Sequence, residues 1–362
     1  MKDMMHRRYL TNGGPFVEEF EEKVADRLSV RHCIATCNAT MGLMVLARAF
    51  ELQGDVVMPS FTFVGTAHAI RWLGLRPVFC DVDAESHTLD PSRVEEALTG
   101  ATSAILGVHV WGHACEIEAL QKIAEERELA LLFDAAPAFD CSHGGVKIGN
   151  FGAAEVVSFH ATKVLNTFEG GAILTNDDEL ADHLRRKVRF GFEDEDLVLE
   201  LGLNGKMSEA SAAMGLAQLE LLDDFISVNR EHLAVYRDRL GVLPGVSVHD
   251  YPAEDTPNYH YVVVEVDDEA APLDRDLLRQ VLVAENVLAR RYFYPGCHRM
   301  APYDVEQPRA GESLPQTESL VERVLQLPTG TAVTAEDVDA ICGVVHRAFE
   351  HADVLRSQLT PT

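Results

Sequence analysis

Short apolar runs alternate with stretches of helical period through the first half of the chain. Phe16, Phe20, Val24 and Leu28 recur every four residues, with Glu18, Glu19, Glu21 and Glu22 between them. This predicts a helix with one buried stripe, launched by the turn residues Asn12-Gly13-Gly14-Pro15. Residues 43–52 predict a second helix, which Asn38 or Thr40 can cap. The spacing then predicts strands at 56–58, 77–82, 104–110, 129–133 and 156–159, and a further apolar run that begins at the glycine pair Gly170-Gly171 and ends at Leu174. Helical patterns over 64–73, 117–128 and 179–189 fall between them. Alternation of this kind argues for an α/β sheet, mostly parallel and covered on both faces.

The second half differs. Residues 208–240 read as one long helix, with Ala213, Leu216, Leu219 and Leu222 recurring at threes and a small-residue face at Ser208, Ala212 and Ala213. A helix of that length commonly bridges two lobes, which divides the chain into residues 1–235 and 236–362. The remainder reads as a smaller α+β domain, with strands at 259–266 and 287–294 and helices at 274–285 and 335–349.

In such sheets ligands gather at the carboxyl ends of the strands. The residues near those ends carry chemistry. Ser158-Phe159-His160-Ala161-Thr162-Lys163 delivers a hydroxyl, an imidazole and an amine within six residues. Lysine is expensive to bury, and a Schiff base to an aldehyde cofactor is one reason to place it there. Asp134 closes its strand, where a carboxylate could hold a buried cation such as a protonated pyridine nitrogen. The helix start at Asn38-Ala39-Thr40 offers free N–H groups to an anion. Taken singly, these are also a loop lysine, a turn aspartate and an ordinary capped helix. Together they meet the three demands of pyridoxal 5′-phosphate: aldehyde, ring nitrogen and phosphate.

Other candidates are weaker. His109 and His113 stand four apart beside Cys115 and Glu116, but Gly112 lies between them and Val108-His109-Val110 reads as a strand end, so no metal site is expected. Gly144, Gly145, Gly149 and Gly152 lack the dinucleotide-binding spacing.

Charge narrows the partners. Across 362 residues, 31 lysines and arginines oppose 58 aspartates and glutamates, a formal charge of -27, which disfavours nucleic acid and anionic membranes. A positive pocket inside that surface can still take a phosphorylated substrate. Residues 1–8 are basic with no apolar stretch behind them, and no apolar run reaches the length of a membrane span, so a cytoplasmic protein is expected. Seven scattered cysteines fit reduced thiols better than a disulfide framework.

The motifs Asn12-Gly13-Gly14-Pro15-Phe16, Pro59-Ser60-Phe61-Thr62-Phe63, Pro77-Val78-Phe79, Asp134-Ala135-Ala136, Ser158-Phe159-His160 with Thr162-Lys163, Glu169-Gly170-Gly171-Ala172 and residues 202–209 resemble the DegT/DnrJ/StrS family of pyridoxal-phosphate sugar aminotransferases. The resemblance covers nearly the whole chain. It implies an aspartate-aminotransferase-like fold (fold type I), with a large domain built on a mostly parallel seven-stranded sheet and a smaller C-terminal α+β domain. It makes Lys163 the residue that bonds the cofactor aldehyde and carries the proton, and Asp134 the partner of the pyridine nitrogen. Phe63 takes the stacking position. Ala39, Thr40 and Ser158 hold the phosphate, His160 lies close to the cofactor, and Asn204 reaches across a homodimer interface to the other subunit's phosphate.

Two residues depart from the family pattern: Pro137 stands where glutamine or histidine is usual, and Lys206 where arginine is usual. Lys163 stands where the dehydratase branch has histidine, which implies transamination. Arg290-Arg291-Tyr292-Phe293-Tyr294-Pro295-Gly296-Cys297-His298 looks like the branch acting on thymidine-diphosphate (TDP) 4-keto-6-deoxyhexoses, with glutamate becoming 2-oxoglutarate as donor. The alternatives are the same chemistry at C3 of a 3-keto sugar and a non-catalytic protein on the same scaffold.

Overall fold

The computed structural model describes Met4, His6 and residues 8–358, so much of the basic start lies outside the described residues. Helix α1 (Pro15–Leu28) buries Val17, Phe20, Val24 and Leu28 along one face. Proline begins it, where a missing N–H costs nothing. The carboxylate of Glu209, wholly buried, accepts from the backbone N–H groups of Gly14, Phe16 and Val17 at 3.0, 3.0 and 3.1 Å.

Strands and helices then alternate: β1 (His32–Thr36), α2 (Ala39–Ala49), β2 (Asp55–Pro59), α3 (Val64–Trp72), β3 (Arg76–Cys80), α4 (Pro91–Ala97), β4 (Thr102–Val108), α5 (Ile117–Glu126), β5 (Ala130–Asp134), the short pair β6 (Ser142–His143) and β7 (Val146–Lys147), β8 (Ala154–Ser158), β9 (Gly171–Thr175) and α6 (Asp178–Lys187). The main sheet has seven strands in the order β1-β9-β8-β5-β4-β2-β3. Only β9 runs against its neighbours. Period-two alternation sends Val156 to one face and Val157 to the other, into separate buried clusters, so both faces are covered. Helix α4 is too short to have shown a period in the sequence.

Residues 208–240 form two helices rather than one: α7 (Glu209–Leu219) and α8 (Leu222–Leu240). Gly215 of α7 lies against Phe20, so close that a Cβ there would sit 2.5 Å from the ring. Helix α8 starts in the large-lobe core at Leu222 and Ile226 and ends in the small-lobe core at Leu233, Tyr236 and Leu240. The chain turns at residues 220–221 to serve both cores, a tertiary demand that leaves the apolar period unbroken. The change of partner falls between Ile226 and Leu233, and residue 236 lies in the small-lobe half.

The small lobe continues with β10 (Val246–Val248), β11 (Asp255–Thr256), β12 (Val262–Val266), α9 (Arg275–Ala284), α10 (Tyr303–Glu306), α11 (Pro315–Arg323), β13 (Val324–Leu327), α12 (Ala335–Glu350) and α13 (Ala352–Gln358). Its sheet is β10-β12-β13. The stretch 287–294 is not a strand. It touches β13 through a single bridge, Arg290 to Gln326. Phe293 stacks on Trp111 of the large lobe at 5.1 Å, and Arg291 pairs with Asp276 at 3.1 Å. These contacts draw the side chains away from a ladder.

The lobes are tied by buried polar contacts. Asp81, just after β3, accepts from Gln316 N–H, Thr317 N–H and the Thr317 hydroxyl at 2.9, 2.8 and 2.8 Å, closing the start of α11. Strand β11 pairs with β6, joining the lobes in a second small sheet. Among the described residues no helix is long and apolar enough to cross a membrane. The seven cysteines are all free.

Candidate active site

The carboxyl ends of β1, β2, β4, β5 and β8 lie along one edge of the main sheet, and the start of β9 lies there too, with Gly171 opposite both Ser158 and Thr36. At the end of β1, Asn38 caps α2: its side chain accepts from Met41 N–H at 2.8 Å. Among the described hydrogen bonds, the N–H groups of Ala39 and Thr40 have no acceptor. Gly171 permits this junction, since a Cβ on it would sit 2.6 Å from the Ala39 nitrogen.

Asp134 ends β5 and is 5% exposed. One carboxylate oxygen accepts from the Thr66 hydroxyl of α3 at 2.7 Å, the other from Ala136 N–H at 3.0 Å. Burial pushes the carboxyl above its usual range, against those two hydrogen bonds and the charge of Lys163. Phe63, the residue before α3, is 62% exposed. A Cβ on Gly65 would meet the Phe63 ring at 3.0 Å and the Thr40 hydroxyl at 3.5 Å, so ring and hydroxyl border the same spot.

After β8 the chain folds tightly. The Ser158 hydroxyl accepts from His160 N–H at 3.3 Å, and the His160 carbonyl accepts from Lys163 N–H at 2.8 Å. Because Thr162 N–H donates to Nδ1 of His160 at 3.2 Å, a neutral ring carries its proton on Nε2, which faces Glu169 at 3.6 Å. The imidazole thus turns toward Thr162 and Glu169, and among the described hydrogen bonds and ion pairs it has none to Lys163 Nζ or Asp134. Lys163 Nζ lies 2.8 Å from the hydroxyl of Tyr261, on the segment leading into β12.

Asn204 is exposed, on a segment that runs along the free edge of β1: Cys37 N–H donates to the Gly205 carbonyl at 2.7 Å, and Thr36 bridges Lys206. Lys206 places its amine 4.5 Å from the centre of the Phe190 ring, and burial together with Arg189 lowers its pKa. Pro137 contributes its carbonyl, which accepts from the Asn258 side chain at 3.0 Å.

His109 and His113 face different partners. Nδ1 of His109 accepts from Cys115 N–H at 3.0 Å, and Nε2 lies 3.2 Å from Glu155. His113 meets His249 at 3.3 Å. Because Nδ1 accepts from Cys115 N–H, a neutral ring carries its hydrogen on Nε2, toward Glu155; burial pushes its pKa down, while Cys115 and Glu155 raise it.

Sequence reasoning passed over Thr66, Asn258, His260 and Tyr261. They lie far along the chain from the residues they touch, and no spacing marked them.

These residues fit pyridoxal phosphate on the chain's own geometry. Among the described residues Asp134 is a buried carboxylate with no ion-pair partner, which a protonated ring nitrogen would complete. The free N–H groups of α2 and the uncovered ring of Phe63 suit a phosphate and an aromatic face.

A seven-stranded sheet with one reversed strand, carrying its lysine and aspartate at the ends of adjacent strands, is the aspartate-aminotransferase-like fold. Residues 1–346 match the DegT/DnrJ/EryC1/StrS aminotransferase family, and the chain belongs to it. A relative from Escherichia coli named dTDP-4-amino-4,6-dideoxy-D-glucose transaminase is 36% identical over 344 residues, 93% of this chain and 91% of the other. One of the same name from Shigella dysenteriae is 38% identical over 288 residues, 80% of this chain and 78% of the other. The crystal structure of DesI in the presence of its TDP-sugar product superimposes with a TM-score of 0.94 at 47% identity, covering 99% of this chain and 90% of that one.

Proposed function

We propose that this protein transfers the amino group of L-glutamate to the C4 carbonyl of a TDP-4-keto-6-deoxyhexose, using pyridoxal 5′-phosphate and yielding a TDP-4-amino-4,6-dideoxyhexose. The observation that carries the reading is the pairing of Lys163 and Asp134 at the ends of adjacent strands, beside the open helix start at Ala39 and Thr40. The names of the two transaminases and the TDP-sugar product of DesI support the substrate class.

When bound, the cofactor supplies an aldehyde that holds the amino group and a ring that takes up the electron pair left on the donor carbon. Lys163 Nζ takes the proton from that carbon and returns it during transfer. Asp134, held by Thr66 and Ala136, keeps a proton on the ring nitrogen. Ala39 and Thr40 N–H, with the hydroxyls of Thr40 and Ser158, bind the phosphate, and Phe63 covers a ring face. His160 fixes the lysine loop through its carbonyl and its ring.

The enzyme acts as a homodimer in the cytoplasm. Leu197, Val198, Leu199 and Leu201, on the loop that leads to Asn204, are 49, 53, 58 and 78% exposed, an apolar surface suited to a second copy. Asn204 on that edge would reach the partner's phosphate. The free cysteines and the nucleotide-linked substrate suit a reducing compartment.

The test is the visible spectrum of the purified protein. A yellow band that bleaches with glutamate and returns with TDP-4-keto-6-deoxyglucose supports both half-reactions. A band that bleaches and never returns overturns the sugar assignment, and no band after reconstitution overturns the enzyme reading.

A further inference from the structure

One four-residue segment of the small lobe touches both loops that carry the reacting groups. Asn258, 1% exposed, donates from its side-chain nitrogen to the carbonyls of Pro137 and Phe139, each at 3.0 Å, on the turn that follows Asp134. Its oxygen accepts from His260 N–H at 3.0 Å. Nε2 of His260 stands 2.8 Å from the Thr162 carbonyl, an oxygen that only accepts, so this nitrogen carries the hydrogen. The next residue is Tyr261, whose hydroxyl meets Lys163 Nζ at 2.8 Å.

Tyr261 is poorly free to move. It is 8% exposed, and its ring packs on Trp111 at 5.6 Å. Trp111 is fixed in turn by a hydrogen bond from Nε1 to His87 at 3.1 Å and by stacking on Phe293. Lys163 Nζ lies 5.5 Å from the centre of the Tyr261 ring, so the amine addresses the hydroxyl at the ring edge.

We propose that Tyr261 is a further catalytic residue of the amino transfer: its hydroxyl receives the Lys163 amine whenever that amine is not bonded to the aldehyde, and holds it where it takes up and returns the proton. No bond to Tyr261 forms or breaks. The phenol exchanges a hydrogen bond with the amine, and Nζ would take the proton from the donor carbon and deliver it to the carbon that had been the aldehyde. A lysine side chain has four rotatable bonds, and fixing its end point removes rotamers in which the amine faces solvent. The inference rests on the reading of Lys163 as the cofactor-bonding residue.

The experiment compares the native chain with Tyr261→Phe, which keeps the packing on Trp111 and removes only the hydroxyl. Borohydride reduction of the cofactor-loaded proteins and peptide mass spectrometry first locate the pyridoxyl group. Competitive acylation of the cofactor-free proteins then reads the amine itself, with surface lysines as internal references. Lys163 in Tyr261→Phe is expected to acylate about five-fold faster, the worth of one neutral hydrogen bond. With α-deuterated glutamate the variant should bleach its yellow band more slowly, with a larger isotope effect and unchanged half-saturation by glutamate. A label on any residue other than Lys163 overturns the site reading and this inference with it. A label on Lys163, with acylation and isotope effect both as in the native chain, overturns the role of Tyr261 alone.

Discussion

Thr66 donates its hydroxyl hydrogen to Asp134 at 2.7 Å, so the carboxylate buried at the end of β5 is aimed from α3, a helix that begins just after the exposed Phe63. Asp134→Asn is expected to slow the glutamate half-reaction by on the order of a hundredfold or more, since a neutral amide no longer stabilises a protonated ring nitrogen. Thr66→Val should cost about tenfold, one hydrogen bond to a charged group. Stopped-flow bleaching of the cofactor band reads both, and an Asp134→Asn protein as fast as the native chain would remove Asp134 from the mechanism.

Lys163→Ala should show no steady-state transamination. The phosphate contacts proposed at Ala39, Thr40 and Ser158 do not involve this side chain, so the variant should still take up cofactor from solution. Borohydride should then fix no pyridoxyl group to the chain. Equilibrium dialysis and mass spectrometry of the same sample measure the two halves of the expectation.

Glu209→Ala strips three acceptor contacts from the start of α1 and leaves buried N–H groups without partners. A loss of at least about 2 kcal/mol in unfolding stability is expected, measured by urea titration. Glu209→Gln retains one acceptor oxygen and should lose less. An alanine variant as stable as the native chain would mean that water replaces the carboxylate there.

Leu201→Asp places a charge in the exposed apolar loop and should shift the protein toward monomer in sedimentation velocity. Asn204→Ala should keep the dimer and weaken cofactor retention several-fold, as one lost hydrogen bond to a phosphate would. Native-like cofactor retention in Asn204→Ala would take that side chain out of the phosphate site.

The sequence held the sheet and the two central residues because both rest on local signals. Apolar runs such as residues 129–133 are continuous where strands are buried on both faces, and Asp134 and Lys163 stand at breaks in those runs. What stayed hidden depends on distant partners. Tyr261 lies 98 positions from Lys163 and falls inside the run 259–266, which reads as a strand. Thr66 is one hydroxyl near the start of a helix, and no motif marks it. The turn at residues 220–221 leaves the apolar period intact on both sides, so two helices read as one. Residues 287–294 have the composition of a strand, yet Phe293 is drawn to Trp111 and Arg291 to Asp276, and Pro295 cannot donate to a ladder.

The three hydrogen bonds that Asp81 accepts at the start of α11 bear on how a bulky sugar nucleotide gains entry. A jaw-like opening of the lobes would break these three hydrogen bonds and pull β11 from β6, exchanging each bond for one to water. Those ties hold the two lobes in one relative placement, so the walls that each lobe gives to the cleft are set by contacts remote from it.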